Sequence, residues 1–287
     1  MNYFKKIIYK LDKIILNYFI TKFYILIKYN LMLISLNFFK KKIGNKNKHD
    51  LKKKLVVSLT SYPERFKTLP LVLDSIVNQT IIPDKIILWI ENKDKKKLPS
   101  SVLNFKGVNI EFCENNLLSY KKIIPSLKKY KNSYIITFDD DVIYFKNSIE
   151  KLVKESKKFP NNVIANCIHK IELINSHPLG YKLWKRNYKK QNRFAFFTGV
   201  SGVLYPPNCF YKDVLKKNYF KKLAPLADDI WLNWMVKLNK TKIRFSSIEK
   251  NYEFIKIIKG GLYQKNFKKN YNDKQIKNMI KKYGFPF

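Results

Sequence analysis

The chain is short of the groups from which proteins build disulfide, zinc or redox centres. Its three cysteines, Cys113, Cys167 and Cys209, lie far apart. They cannot all pair within one chain, and the reducing cytoplasm suits them best. None of the three histidines, His49, His169 and His177, stands at ligand spacing from a cysteine, which argues against zinc. Acidic residues are few, 21 against 58 basic, for a formal net charge of +37. Arginine is scarcer still: Arg65, Arg186, Arg193 and Arg244 are the only four, so 54 of the basic residues are lysines, spread over nearly every segment. Proteins that read bases or grip phosphates in a fork favour arginine. With heavy use of Asn, Ile, Tyr and Phe beside it, the lysine excess reads as compositional drift, and no nucleic-acid partner is expected. Attraction to anionic lipid is a by-product of that charge.

A long uncharged apolar run is also missing. Residues 1–39 are apolar, yet Lys22 and Lys28 interrupt every window of the roughly 18 residues that a spanning helix needs. Leu36-Asn37-Phe38-Phe39 is a poor signal-peptide cleavage site. What is present is a polar stripe, Lys6, Lys10, Lys13, Asn17, Thr21, Lys28 and Ser35, at helical spacing. An amphipathic helix lying in the membrane interface fits it best. A helix packed on the protein itself and a targeting or spanning segment are the alternatives. Residues 40–50 are charged, polar and aperiodic, the pattern of a linker.

Beyond the linker the chain can bury a full core, with 46% hydrophobic and 15% aromatic residues overall. Short apolar runs alternate with helical patterns, which predicts βα units and a largely parallel sheet. Strands are expected at Leu55–Leu59, Lys85–Ile90, Val108–Phe112 and Tyr134–Phe138. A helix with Thr68 as its cap and Pro70 in its first turn follows the first strand, and another runs from about Tyr120 to Tyr130. In such a sheet a ligand sits beyond the carboxyl ends of the strands.

The sharpest feature stands there. Asp139-Asp140-Asp141 follows directly on the most apolar strand, and three adjacent carboxylates at a strand end need a positive charge to offset their repulsion and lost hydration. A cap for the next helix does not require them, because Asn147-Ser148-Ile149-Glu150 supplies a capping box. Magnesium and manganese take oxygen ligands, commonly one or two carboxylates with substrate phosphates completing the shell. A second acidic pair, Asp228-Asp229, precedes an apolar helix. It suits either the positive end of that helix or a general base, or both.

The order Ser58-Leu59-Thr60-Ser61-Tyr62-Pro63-Glu64-Arg65, a strand ending in Glu91, Phe138-Asp139-Asp140-Asp141 and an acidic pair before a helix resembles glycosyltransferases of the GT-A fold, especially family 2-like enzymes of bacterial capsule and lipopolysaccharide assembly. The resemblance runs from about Lys54 to about Ile248. It implies an α/β fold with a Rossmann-like, mixed and mostly parallel sheet flanked by helices, here behind an amphipathic helical extension. It implies that Thr60, Ser61, Tyr62 and Arg65 hold the nucleotide, and that Glu91 accepts from its base. Asp141 is assigned to the metal, Asp139 to metal or ribose, and Asp140 to ribose. Asp229 is assigned as the base, with Asp228 beside it. Thr198–Pro207, with Gly202, resembles the segment flanking the donor sugar, where glycine permits close approach. Lys122 stands where related sequences often carry a lysine that could neutralise diphosphate.

The division expected is 1–50 extension and linker, 51–250 catalytic domain and 251–287 helical extension, capped near Asn272 and Asp273 and either covering the acceptor site or touching membrane. The expected activity is transfer of a sugar from a nucleotide-diphosphate sugar to a glycan or glycolipid acceptor, dependent on Mn2+ or Mg2+ and inverting, at the inner face of the cell membrane. The rivals are a sugar nucleotidyltransferase, whose glycine-rich first loop is missing here, and a non-enzymatic basic protein that binds membrane or nucleic acid.

Overall fold

The computed structural model describes residues 46–246, 252–255 and 270–287, together with Ile20. The expected amphipathic extension and the first part of the linker lie outside the described residues. Among those described, no helix is long and apolar enough to cross a membrane.

Seven strands make the central sheet. In chain order they are β1 (Leu55–Thr60), β2 (Lys85–Glu91), β3 (Asn109–Cys113), β4 (Tyr134–Thr137), β6 (Val163–Ala165), β9 (Val203–Tyr205) and β10 (Ile243–Phe245). Between them lie β5 (Val142–Tyr144), β7 (Ile168–Lys170) and β8 (Ala195–Phe197), and β11 (Tyr252–Phe254) follows. The sheet order is β10-β6-β9-β4-β1-β2-β3. All neighbours are parallel except β9, which runs antiparallel to both β4 and β6. This is the mixed, mostly parallel GT-A sheet expected. β1 and β4 are buried almost throughout and mostly apolar, Ser58, Thr60 and Thr137 apart, as strands covered on both faces are.

Register brings the chemistry to one edge. Ser58 pairs with Thr137 and Thr60 with Trp89, so the loops after β1, β2 and β4 open side by side. Besides a single helical turn at Ser100–Leu103, the α-helices among the described residues are α1 (Leu69–Val77), α2 (Ile124–Lys129), α3 (Ser148–Lys158), α4 (Lys217–Leu223), α5 (Asp228–Leu238) and α6 (Tyr271–Tyr283). Trp231, Leu232, Trp234, Met235 and Val236 of α5 are buried in one cluster with Phe197 of β8 and with Ile276 and Met279 of α6.

Several local expectations need correction. The Tyr120–Tyr130 helix is broken into a 3-10 turn, Leu118–Lys122, and α2, whose first turn carries Pro125; proline cannot donate the bond that would join them. Thr68 stands at the N-cap of α1 as expected but makes no side-chain capping bond: its hydroxyl donates to Arg65 O, 3.2 Å away. The capping box at α3 does not form either. Gln79 Oε1 accepts the Ile149 N–H at 3.0 Å, while Glu150 accepts from the Thr80 hydroxyl at 2.8 Å, so a distant side chain supplies the cap. At α6 neither Asn272 nor Asp273 caps. Asn270, left-handed at φ 56, precedes the helix, and Asp273 accepts the Tyr181 N–H at 2.7 Å. The end of the linker is docked: Asn47–Lys48 pairs with Ile81–Ile82, and His49 lies 2.9 Å from Asp84.

Candidate active site

Phe138 closes the central strand, and its N–H extends the ladder to Ser58 O at 3.0 Å. Its fully buried ring lies 3.9 Å from that of Tyr144 on β5. The Tyr144 oxygen accepts the Asp139 N–H at 2.8 Å, and its hydroxyl donates to Val200 O at 3.2 Å. One tyrosine thus fixes where the acidic turn begins and ties it to the segment after β8. Asp140 is buried at 5% exposure, whereas the Asp139 and Asp141 side chains keep 26% and 31%.

Arg65 supplies part of the positive charge that three acids require. One arm of its guanidinium bonds Asp140, and the other lies 2.9 Å from Asp141. Its carbon sits 5.1 Å over the Tyr62 ring. Burial alone would lower the Arg65 pKa, but Asp140 and Asp141 outweigh it and hold the guanidinium firmly charged. Burial and the neighbouring Asp139 push the Asp141 carboxyl up to about 6, with Arg65 opposing. Burial raises Asp140 as well.

Lys122 supplies a second positive charge. It is buried, its carbonyl accepts from Ser58 Oγ at 2.5 Å, and its ammonium reaches Asp139 at 2.7 Å and Asp228 at 3.1 Å. One cation therefore joins the acids after β4 to the acids opening α5. Burial would release its proton, but Asp139, Asp228 and Asp229 together hold it. Asp229 accepts the Gly199 N–H at 3.1 Å. Burial, and then Asp228, push its carboxyl up to about 8 against the pull of Lys122. The backbone beneath is clamped by Asn233, which is fully buried: its amide donates to Phe197 O and Asp229 O, both at 2.8 Å, and its oxygen accepts Phe197 N–H at 3.0 Å.

The other expected residues fall around this centre. Thr60 spends its hydroxyl on Trp89 O at 2.7 Å, and Ser61 is buried. Glu91, also buried, lies 2.8 Å from Lys93 and 3.6 Å from Lys121, and despite its burial these lysines lower its pKa. Lys121 also donates to Ser61 O at 3.0 Å, bridging the first and second loops. Sequence reasoning passed over it, and Asn233, for want of any local signal beyond a polar residue beside apolar ones. Gly202 has φ +96, and a Cβ there would run into the Phe138 ring, so close approach is its role whatever it contacts besides.

Among the described residues no three His, Cys, Asp or Glu side chains are grouped to hold a metal. Two part-exposed carboxylates, Asp139 and Asp141, are what magnesium or manganese takes when phosphate and water complete the shell. The donor set fits that kind of ion and not a protein-enclosed one.

Residues 57–220 match the family model for glycosyl transferase family 2, more than half of the chain. The chain belongs to glycosyl transferase family 2. The match spans Thr60 through Gly202 and stops short of Asp228 and Asp229. Among solved structures, Staphylococcus aureus TarS 1-349 is similar at 15% identity and TM-score 0.46, over 69% of this chain and 59% of that one. The same protein in complex with UDP-GlcNAc is similar at 15% identity and TM-score 0.43, over 72% and 62%. A 4-diphosphocytidyl-2C-methyl-D-erythritol synthase is similar at 10% identity and TM-score 0.46, over 77% and 99%. This family 2 chain thus spans less than two thirds of the TarS chains. No curated protein matches it.

Proposed function

We propose that the chain transfers a sugar from a nucleotide-diphosphate sugar to a glycan hydroxyl, with inversion and with a divalent ion bound. The observation that carries the reading is the Lys122 ammonium shared between Asp139 and Asp228, which puts the two acidic motifs at one opening of a family 2 fold. Asp139 and Asp141 would hold Mg2+ or Mn2+, which as a Lewis acid stabilises charge on the departing nucleoside diphosphate. Arg65 orients Asp141 and neutralises Asp140, leaving the part-exposed acids for ligand. Thr60, Ser61, Tyr62 and Glu91 line the adjoining loops, where the nucleotide would rest with Tyr62 as a stacking platform. Asp229, aimed by Gly199 and Asn233, takes the proton of the attacking hydroxyl from the face opposite the leaving group. A surface glycan of the capsule or lipopolysaccharide kind as acceptor, and attachment to the inner face of the membrane, rest on the family resemblance and on the lysine stripe of residues 6–28.

The test is release of nucleoside diphosphate from uridine, guanosine and thymidine donor sugars, with and without manganese. Release should need the ion, and Asp141→Ala should lower it by about a hundredfold or more with cooperative thermal unfolding retained. Undiminished turnover in that variant would remove the metal assignment. Pyrophosphate release from a sugar phosphate and a nucleoside triphosphate would mark a nucleotidyltransferase instead.

A further inference from the structure

We infer that Ile255 is a positioning residue for Asp141: its backbone N–H sets the acid that is to hold the divalent ion. The inference rests on the proposed role of Asp141 as a metal ligand, and adds to it a donor from the carboxyl-terminal stretch.

The first observation is where the acidic turn ends. Val142, the first residue of β5, follows Asp141 directly. β5 stands apart from the central sheet and pairs with β11 in a two-stranded antiparallel ladder, with Tyr252 opposite Tyr144, Glu253 opposite Ile143 and Phe254 opposite Val142. The ladder then runs one step further. Ile255 N–H donates to Asp141 O at 2.9 Å, and Ile255 itself is buried. The other hydrogen-bonding edge of β5 meets α1, where Ser75 Oγ accepts the Tyr144 N–H at 3.2 Å.

The second is what this bond can do that Arg65 cannot. The Asp141 carboxylate meets Arg65, and that guanidinium is shared with Asp140. A divalent ion at Asp141 competes with Arg65 for the same oxygens, so that contact weakens as the ion binds. The Ile255 bond lies on the backbone carbonyl and uses no carboxylate oxygen, so it holds the residue with or without the ion. Tyr144 does the same at the other end of the turn, where its oxygen accepts the Asp139 N–H at 2.8 Å. Asp139 and Asp141 are thus held at a spacing set by the backbone, one by β5 itself and one by the residue that follows its partner strand.

The third is sequence position. The family match ends at residue 220, and β11 lies beyond it. Groups that orient a metal ligand without touching the metal account for about ten- to a hundredfold in affinity. A donor to the ligand's backbone, not to its carboxylate, belongs at the lower end of that range. The coupling is reciprocal. If the Ile255 bond favours the ion about tenfold, the ion must favour the bond by the same factor, and exchange of the Ile255 amide must slow accordingly.

The experiment measures Mn2+ binding to the full chain by electron paramagnetic resonance, with uridine, guanosine or thymidine diphosphate present. Ile255→Pro removes the N–H and suits the extended Phe254 before it. Ile255→Ala loses the buried side chain and keeps the N–H. The proline variant should bind Mn2+ about tenfold more weakly, and the alanine variant no more than about twofold more weakly despite a lower thermal midpoint. In turnover, the proline variant should need about tenfold more Mn2+ for half-maximal rate, with donor KM at saturating Mn2+ unchanged. Hydrogen exchange of the wild-type Ile255 amide, read by fragmentation mass spectrometry, decides independently of how the proline variant folds. It should slow by up to about tenfold when Mn2+ and nucleotide are added. Equal Mn2+ affinity in the proline variant, equal loss in both variants, or Ile255 exchange indifferent to the ion would overturn the inference. Those outcomes leave the transfer reaction standing, whereas a wild-type chain that takes up no Mn2+ with any of the three nucleotides removes the metal reading and the inference together.

Discussion

The proposed transfer asks Asp229 to act as a base in surroundings that favour its acid form. Burial and Asp228 raise its carboxyl to about 8, while the Lys122 ammonium and the Gly199 N–H pull it down. A folded-state pKa above the unfolded value of about 4 means that this group's contribution to stability is complete below about 4 and lost as pH climbs through about 8. By linkage, one such proton changes stability by about 1.4 kcal/mol per pH unit inside that window. The thermal midpoint of the wild type should therefore fall between pH 6 and 8 more steeply than that of Asp229→Asn, which has no proton to release there. Transfer should rise over the same interval and drop by about a hundredfold or more in the variant. Parallel stability profiles would show that Asp229 is not the titrating group. Arg65 illustrates what one residue's sequence context conceals. Its place in the loop after β1 was legible, and a contact with the nucleotide was expected, but the fork lies on Asp140, 75 residues further along, and on Asp141 beside it.

Elements were legible wherever burial on both faces leaves an uninterrupted apolar run. β1, β2 and β4 fall within a residue or so of expectation for that reason, and the half-exposed edge strand β3 does so on its alternating pattern instead. Caps and breaks were not, because their partners come from other elements, as Gln79 does for α3. Gly202 shows the same dependence on distant context. It was expected to allow close approach to a sugar, and what approaches it is the Phe138 ring at the root of the acidic turn. Gly202→Ala combines a left-handed backbone with overpacking against that ring, and should cost about 2 kcal/mol or more. Chemical denaturation should record the loss, and donor hydrolysis should fall with it because Phe138 carries Asp139. An unchanged denaturation midpoint would contradict the packing seen here.

Across the whole molecule, the described part of the carboxyl-terminal stretch shares the core that carries the base. Met279 and Ile276 of α6 are buried with α5. Trp234 of α5 donates to Gly284 O at 3.1 Å, and its ring meets that of Phe287 at 4.9 Å. Deleting residues 284–287 strips two half-buried phenylalanines and that acceptor, and should cost about 3 kcal/mol. Urea unfolding of the shortened chain would measure it, and a loss below about 0.5 kcal/mol would mean the tail is dispensable to the fold. The same wholeness bears on how the protein exists between turnovers. Since Arg65 and Lys122 already offset part of the charge on the five acids of the cleft, the polypeptide carries some of its own counter-ions and is spared the fate of a zinc finger stripped by a chelator. A cation that arrives there enters by trading places with side chains already present.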